Sequence, residues 1–192
     1  MEQCNSIIRY WLQLWILLNA RSPEKSTKSI HCFDLSRTGF WALRKSFKKS
    51  GLKLPNIHKK LVGLGTESSE HISIDNFLET KHLDNPILMK IDIEGYECIV
   101  LDGMKTCLDN NDVHLLMEVH PSRISKIKPS GLEDFCSVLE STGYKLEVCK
   151  NHRGPHRGPD AEWEDCSFDE LKKISKKLEA TGDNFAAYFS KA

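Results

Sequence analysis

The segment PILMKIDI, residues 86–93, restricts the fold more than any other stretch of the chain. It is apolar except for Lys90 and Asp92, opens on a proline and runs into Glu94 and Gly95. Its brevity and the flanking proline and glycine make it a strand rather than a helix. Successive strand side chains point to opposite faces, so Lys90, Asp92 and Glu94 share one side and Met89, Ile91 and Ile93 the other. A strand this apolar belongs in a sheet covered on both faces, which is the habit of parallel sheets.

The remaining chain reads as alternating strands and helices. SIHCFDLS (29–36) is a strand that ends in Asp34, and the next helix has Phe40, Leu43 and Phe47 on one side before Gly51. NIHKKLVGLG (56–65) reads as one strand, and ISIDNFLE (72–79) alternates and then turns helical. A helix from about Gly95 is expected to turn Tyr96, Ile99, Val100, Gly103 and Cys107 inward. VHLLMEVHP (113–121) is a strand closed by proline. Ser130 with Glu133, and Ser167 with Glu170, are spaced as capping boxes. YKLEVCK (144–150) and NFAAYFSK (184–191) read as the last strands. This alternation predicts an α/β fold with a mostly parallel sheet, whose ligands bind at the carboxyl ends of the strands. Asp34, Asp92, Glu94, Glu118 and His120 all fall at such ends.

Several of these groups have ordinary explanations. Glu97 lies in the first turn of its helix, where a negative side chain is worth about 0.3–1 kcal/mol. Glu94 reads equally well as a capping residue. Asp92 is harder to dismiss, because a buried carboxylate is costly unless it is paired or hydrogen-bonded, and Lys90 is one available partner. His114, Glu118 and His120 share a face of their strand and suggest metal ligation. At ~3.3 Å per residue His114 lies about 13 Å from Glu118, too far for one ion. Only Glu118 and His120 can act together, so no metal site is assigned. No G-x-S-x-G elbow of a serine hydrolase occurs.

Composition narrows the partners. Lys and Arg together equal Asp and Glu, at 27 each, so net charge gives no reason to expect nucleic acid. The basic run LRKSFKKSGLK (43–53) reads as the solvated face of a helix. The 7 cysteines have no zinc-like spacing, which fits reduced thiols in a cytoplasmic protein. IIRYWLQLWILL (7–18) is too short to span a bilayer and has a poor positive region for a signal peptide. A helix packed on the domain and a membrane-associated segment both stay open, with membrane association not favoured. The tandem HRGP at 152–159 reads as a loop, or as a lid carrying cations.

The motifs SIDNFLE, ILMKIDIEGYECIVLDGM, LLMEVHP and STGYKLEV resemble, in order and spacing, the FkbM family of S-adenosylmethionine-dependent methyltransferases. That family shows an LD-x-F segment, a KIDVEG-x-E block followed by VL-x-G, and a strand ending in E-x-H. The resemblance covers roughly residues 72–150, and IHCFDLS is similar to the family's FEP strand end. It implies a Rossmann-like class I methyltransferase sheet of seven strands, the last antiparallel. It also implies S-adenosylmethionine as methyl donor and O-methylation of a sugar or another small hydroxylated acceptor. Asp34 would hold the ribose hydroxyls, and Asp92, Glu94 and Glu97 would complete the cofactor-side acidic block. Asp92, Glu118 and His120 would be the catalytic residues, with Glu118 or His120 accepting the hydroxyl proton.

One feature departs from the family pattern. Such sheets open with a central strand followed by a glycine-rich turn, yet the first glycine here is Gly39. The expected organisation is an apolar helix and polar linker over 1–28, then an FkbM-like domain over 29–192 that lacks the usual first βα unit. Three readings stay open. The domain is incomplete at its N-terminal side, or it is a diverged and inactive binding module, or residues 7–18 form a substitute strand.

Overall fold

The computed structural model describes residues 30–49, 51, 55–64, 70–81, 85–149 and 162–191, and the backbone alone of residues 14–18. The apolar segment 86–93 supplies strand β6 (Ile87–Ile91), as its pattern requires, with Ile87, Met89 and Ile91 fully buried. In chain order it follows β1 (Leu14–Leu18), β2 (Ile30–Phe33), β3 (Asn56–His58), β4 (Leu61–Val62) and β5 (His71–Ile72). After it come β7 (Val113–Val119), β8 (Tyr144–Cys149), β9 (Glu164–Cys166) and β10 (Phe185–Lys191). The helices are α1 (Arg37–Lys49), α2 (Ile74–Glu79), α3 (Glu97–Asp102), α4 (Lys105–Asn110), α5 (Pro121–Ile127), α6 (Gly131–Ser141) and α7 (Phe168–Thr181).

The main sheet has 8 strands in the order β3-β2-β1-β6-β7-β10-β8-β9, and β4 and β5 form a separate parallel pair. Strands β3, β2, β6, β7 and β8 run one way, and β1, β10 and β9 run against them. The fold is therefore α/β with a mixed sheet. Among the described residues only β2–β3 and β6–β7 are parallel neighbours in the main sheet, so a mostly parallel sheet is corrected to a mixed one. The last strand, β10, is antiparallel as expected and lies inside the sheet, between β7 and β8.

The centre of the sheet holds the largest departure from expectation. Leu14–Leu18 is a strand, not part of a helix, and fills the place between β2 and β6. It pairs antiparallel with both, Leu14 standing opposite Phe33 on one side and Ile91 on the other. The cause is backbone pairing: without it, β2 and β6 would leave their inner edges bare. Residues 7–13 and the HRGP tandem lie outside the described residues.

Side chains alternate cleanly in the central pair. Met89, Ile91, Leu115, Met117 and Val119 are buried in the main core with Phe135, Phe185 and Phe189. Leu88, Lys90, His114, Leu116 and Glu118, on the opposite face, are half-buried. At the β2 end, Cys32 packs with Leu43 and Phe47 of α1, while Phe33 faces the main core. Among the described residues no helix is long and apolar enough to cross a membrane.

Some local expectations change with tertiary packing. Residues 56–65 split into β3 and β4, which belong to different sheets. The helix after β6 starts at Glu97 and breaks at Gly103, giving α3 and α4. A Cβ on Gly103 would lie 2.1 Å from the Gly63 carbonyl oxygen, so that break lets two backbones touch. The later start rotates the buried stripe to Glu97, Cys98, Val100 and Leu101, and leaves Tyr96 exposed. Ser167 makes the expected reciprocal capping box with Glu170. Ser130 does not cap: its backbone is already helical, and its hydroxyl donates to Asp134 Oδ2 at 3.0 Å.

Candidate functional site

Register brings the acidic strand ends to one edge. Phe33, Leu14 and Ile91 stand side by side across β2, β1 and β6, and Ile91 stands beside Met117 of β7. Asp34, Asp92 and Glu118 each follow the last of these paired positions on their strands. Asp92 and Glu118 are thus neighbours. Asp34 is separated from Asp92 by β1, an offset of ~10 Å at two strand spacings.

Beyond β6 the chain makes a turn that no regular element provides. Glu94 has φ 57 and Gly95 has φ 111. A non-glycine residue in the left-handed region is uncommon, and such residues concentrate at functional sites. Gly95 is obligatory, because a Cβ there would meet Arg123 Cβ at 2.6 Å and the Arg123 carbonyl carbon at 3.0 Å. This turn re-aims Glu94 and starts α3 with Glu97 facing inward.

His120 receives these carboxylates. It stands between β7 and α5, whose first residue is Pro121, and is 4% exposed. Its Nδ1 lies 2.7 Å from Glu97 Oε1, and Glu97 is wholly buried. A place in the first turn of α3 therefore does not by itself account for Glu97. Its carboxylate points into the protein and holds an imidazole. His120 Nε2 lies 3.2 Å from Glu94 Oε2 and 3.4 Å from Glu118 Oε1, in hydrogen-bond geometry with neither. Burial opposes charge on the ring, but Glu118, Glu97 and the field of Glu94 outweigh it and push the His120 pKa up to about 9. With Nδ1 taken up by Glu97, Nε2 is the nitrogen that faces Glu94 and Glu118.

Three supporting residues are only partly legible in the sequence. Asn184 Nδ2 donates to Glu118 Oε1 at 2.9 Å, and Arg123 pairs with Glu94 Oε2. Asn184 carried a usable signal, since it precedes the last strand and an antiparallel neighbour of β7 starts where β7 ends. Arg123, on α5, carried none. Lys90 Nζ donates to Asp92 Oδ2 at 3.0 Å, the pairing that two-residue spacing allowed. His114 is remote from the cluster, its Nδ1 bonded to the Tyr188 hydroxyl and its Nε2 3.5 Å from Asp112.

Asp34 is a separate site element. Its Oδ1 accepts from the Ser36 N–H at 2.8 Å, which shapes the entry into α1. Its Oδ2 is buried with no hydrogen-bond partner, in space that a Cβ on Gly39 would occupy at 2.6 Å. Burial raises the Asp34 pKa, against the Ser36 and Leu35 amides that lower it. The structure thus gathers Asp92, Glu94, Glu97, Glu118 and His120 and leaves Asp34 two strands away.

The arrangement offers carboxylates to a cation or a hydroxyl at the carboxyl-end edge, where open α/β sheets take ligands. No curated protein matches the chain. A family model described as Methyltransferase FkbM domain matches residues 32–146, from Cys32 in β2 to Leu146 in β8. That is more than half of the chain and takes in every site residue above except Asn184, so the chain belongs to the family of FkbM methyltransferase domains.

Proposed function

We propose that this chain binds S-adenosylmethionine at the carboxyl-end edge of its sheet and catalyses O-methylation of a sugar or another small hydroxylated metabolite in the cytoplasm. The observation that carries the reading is the level alignment of Asp34, Asp92 and Glu118 across β2, β6 and β7. A filled central position beside β6 and an antiparallel last strand support a Rossmann-like reading of the mixed sheet. The described cysteines are all free thiols, which suits a reducing compartment.

The residues present fit the donor. Asp34 Oδ2, a buried acceptor without a partner, suits a ribose hydroxyl. Asp92, with Glu94 and Glu97 behind it, suits a positive sulfonium. When bound, S-adenosylmethionine supplies an activated methyl group. The chain itself has to hold the acceptor oxygen in line and take its proton. Positioning is the larger contribution, reaching roughly 7–11 kcal/mol for well-aligned groups, and a placed base adds about 10²–10⁴ in rate. Glu118, oriented by Asn184, and Asp92 are the proton acceptors. His120, held through Nδ1 by Glu97, keeps Glu94, Glu97 and Glu118 around it as a positioning residue.

A second reading, a binding module without transfer, has one observation in its favour. Strand β1 begins at this edge rather than ending there, so no strand-to-glycine turn stands at the sheet centre. Calorimetric titration with S-adenosylmethionine and S-adenosylhomocysteine separates the readings. Micromolar binding, weakened at least tenfold by Asp34→Ala and by Asp92→Ala, is expected. No heat at millimolar ligand would reject the enzyme reading, and unchanged affinity in both variants would reject the site. With binding in hand, methyl transfer from labelled donor to a panel of sugars tests the acceptor class.

A further inference from the structure

The group at the ends of β6 and β7 has a property that methyl-donor binding does not require. Asp92, Glu118 and His120 each offer one ligand atom, and these atoms lie within 4.8 Å of one another. Ligand atoms on one tetrahedral zinc-type ion stand ~3.4 Å apart at metal–ligand distances of about 2.1 Å, so side-chain rotations that draw the three atoms together close the set on one ion. Sequence parity along β7 alone had left only two candidate ligands there. The third comes from the neighbouring strand, through the pairing of Ile91 with Met117.

A second observation points into the same space. His120 is 4% exposed, and its Nε2 has no hydrogen-bond partner although it faces carboxylate oxygens of Glu94 and Glu118. Its Nδ1 is held by Glu97 at 2.7 Å. An imidazole whose one nitrogen is fixed by a buried carboxylate, with the other turned toward acidic ligands, has the usual outer-shell support of a metal-binding histidine. Glu118 has comparable support from Asn184. Formal charge agrees. Asp92, Glu94, Glu97 and Glu118 face two fixed cations, Lys90 and Arg123. A divalent ion bound to neutral His120 balances the group. The proton on Nε2 leaves to solvent as the metal–nitrogen bond forms.

We propose that Asp92, Glu118 and His120 form a divalent-cation site, taking an ion of the Mn²⁺ or Zn²⁺ type, at the ends of β6 and β7. One imidazole with two carboxylates favours such ions over Ca²⁺ or Mg²⁺, which take all-oxygen sets. The consequence for chemistry rests on the methyltransferase reading. A carboxylate is a weak base toward an alcohol, and a bound divalent cation reduces that mismatch, as it lowers the pKa of water from 15.7 to about 7. The cation would also fix the acceptor oxygen beside Asp92.

The test uses untagged, chelator-treated chain, with Mn²⁺ as the probe because free thiols, such as that of the half-buried Cys166, compete for Zn²⁺. Electron paramagnetic resonance and calorimetry without methyl donor are expected to show one Mn²⁺ per chain at micromolar affinity, with Mg²⁺ at least tenfold weaker. Asp92→Asn and Glu118→Gln should each lower the affinity at least tenfold, and Glu97→Gln roughly 10–100-fold through the imidazole it holds. Circular dichroism verifies that the variants fold. No Mn²⁺ binding at 1 mM, or equal binding by a folded Asp92→Asn/Glu118→Gln double variant, overturns the proposal. Because no donor is present, failure here leaves the titration with S-adenosylmethionine untouched, and failure there leaves this site standing.

Discussion

His31 and His120 are almost equally buried, at 5% and 4% exposure, and the protein treats them in opposite ways. His31, on β2, stacks on His58 of β3 with ring centroids 5.2 Å apart, and its Nδ1 lies 2.9 Å from His58 Nε2. Phe77 of α2 stands edge-on to it at 5.0 Å. With no carboxylate of the described residues against it, burial pushes the His31 pKa down to about 4, helped by the charges of His58 and Lys81. His120 meets the same burial, but Glu97, Glu118 and Glu94 reverse the outcome. Burial alone therefore does not set the charge of a histidine; neighbouring carboxylates can reverse it. One region is an aromatic packing cluster, and the other is an assembled charge site.

The comparison can be broken by removing the partner that decides it. Glu97→Ala leaves a buried, charged ring without its hydrogen bond and should cost roughly 3–5 kcal/mol in urea unfolding at pH 7. Glu97→Gln should cost clearly less. A loss below about 1 kcal/mol for Glu97→Ala would mean that the two histidines are not held differently. A smaller effect sharpens the other side. Unfolded His31 takes a proton below pH 6.5 and folded His31 only below about 4, so stability falls as pH drops between those values. The loss reaches at most about 3 kcal/mol, and His31→Phe should flatten that part of the stability–pH curve. An unchanged acid slope in His31→Phe would assign the loss to other groups. Smallest is Arg123→Ala: Arg123 is half-exposed, so its pairing with Glu94 should be worth less than about 1 kcal/mol in thermal unfolding. A larger drop would show that Glu94 depends on it for its unusual backbone.

The sequence showed these regions unequally. Asp92, Glu118 and His120 were legible because strand parity and strand ends are local properties of the chain. The contact of Glu97 with His120 was not legible, because its position in a helix is visible in sequence whereas its orientation is not. That orientation follows from the Glu94–Gly95 turn, which delays the helix by a residue or two and rotates its buried side. Ser130 and Glu133 have the right spacing for a capping box, but Ser130 enters α6 already helical and bonds Asp134 instead. Ser167 enters α7 from extended backbone, and its box forms. The place of Leu14–Leu18 was legible only as one of three alternatives, since a strand's direction is decided by the partners it meets. His31 gave no sign of its pairing, because β2 and β3 meet only through the fold.

The reversal of β1 also bears on how the sheet is assembled in time. Parallel strands need a long crossover between them, whereas antiparallel neighbours can be linked by a short connection. Strand β1 reaches β2 through residues 19–29 alone, so the two can pair as a local unit at low loop-closure cost. Its other partnership, Leu14 with Ile91, closes a far longer loop. The centre of the sheet thus combines its most local contact with one of its most distant, and refolding should be limited by the arrival of β6 rather than by the β1–β2 pair.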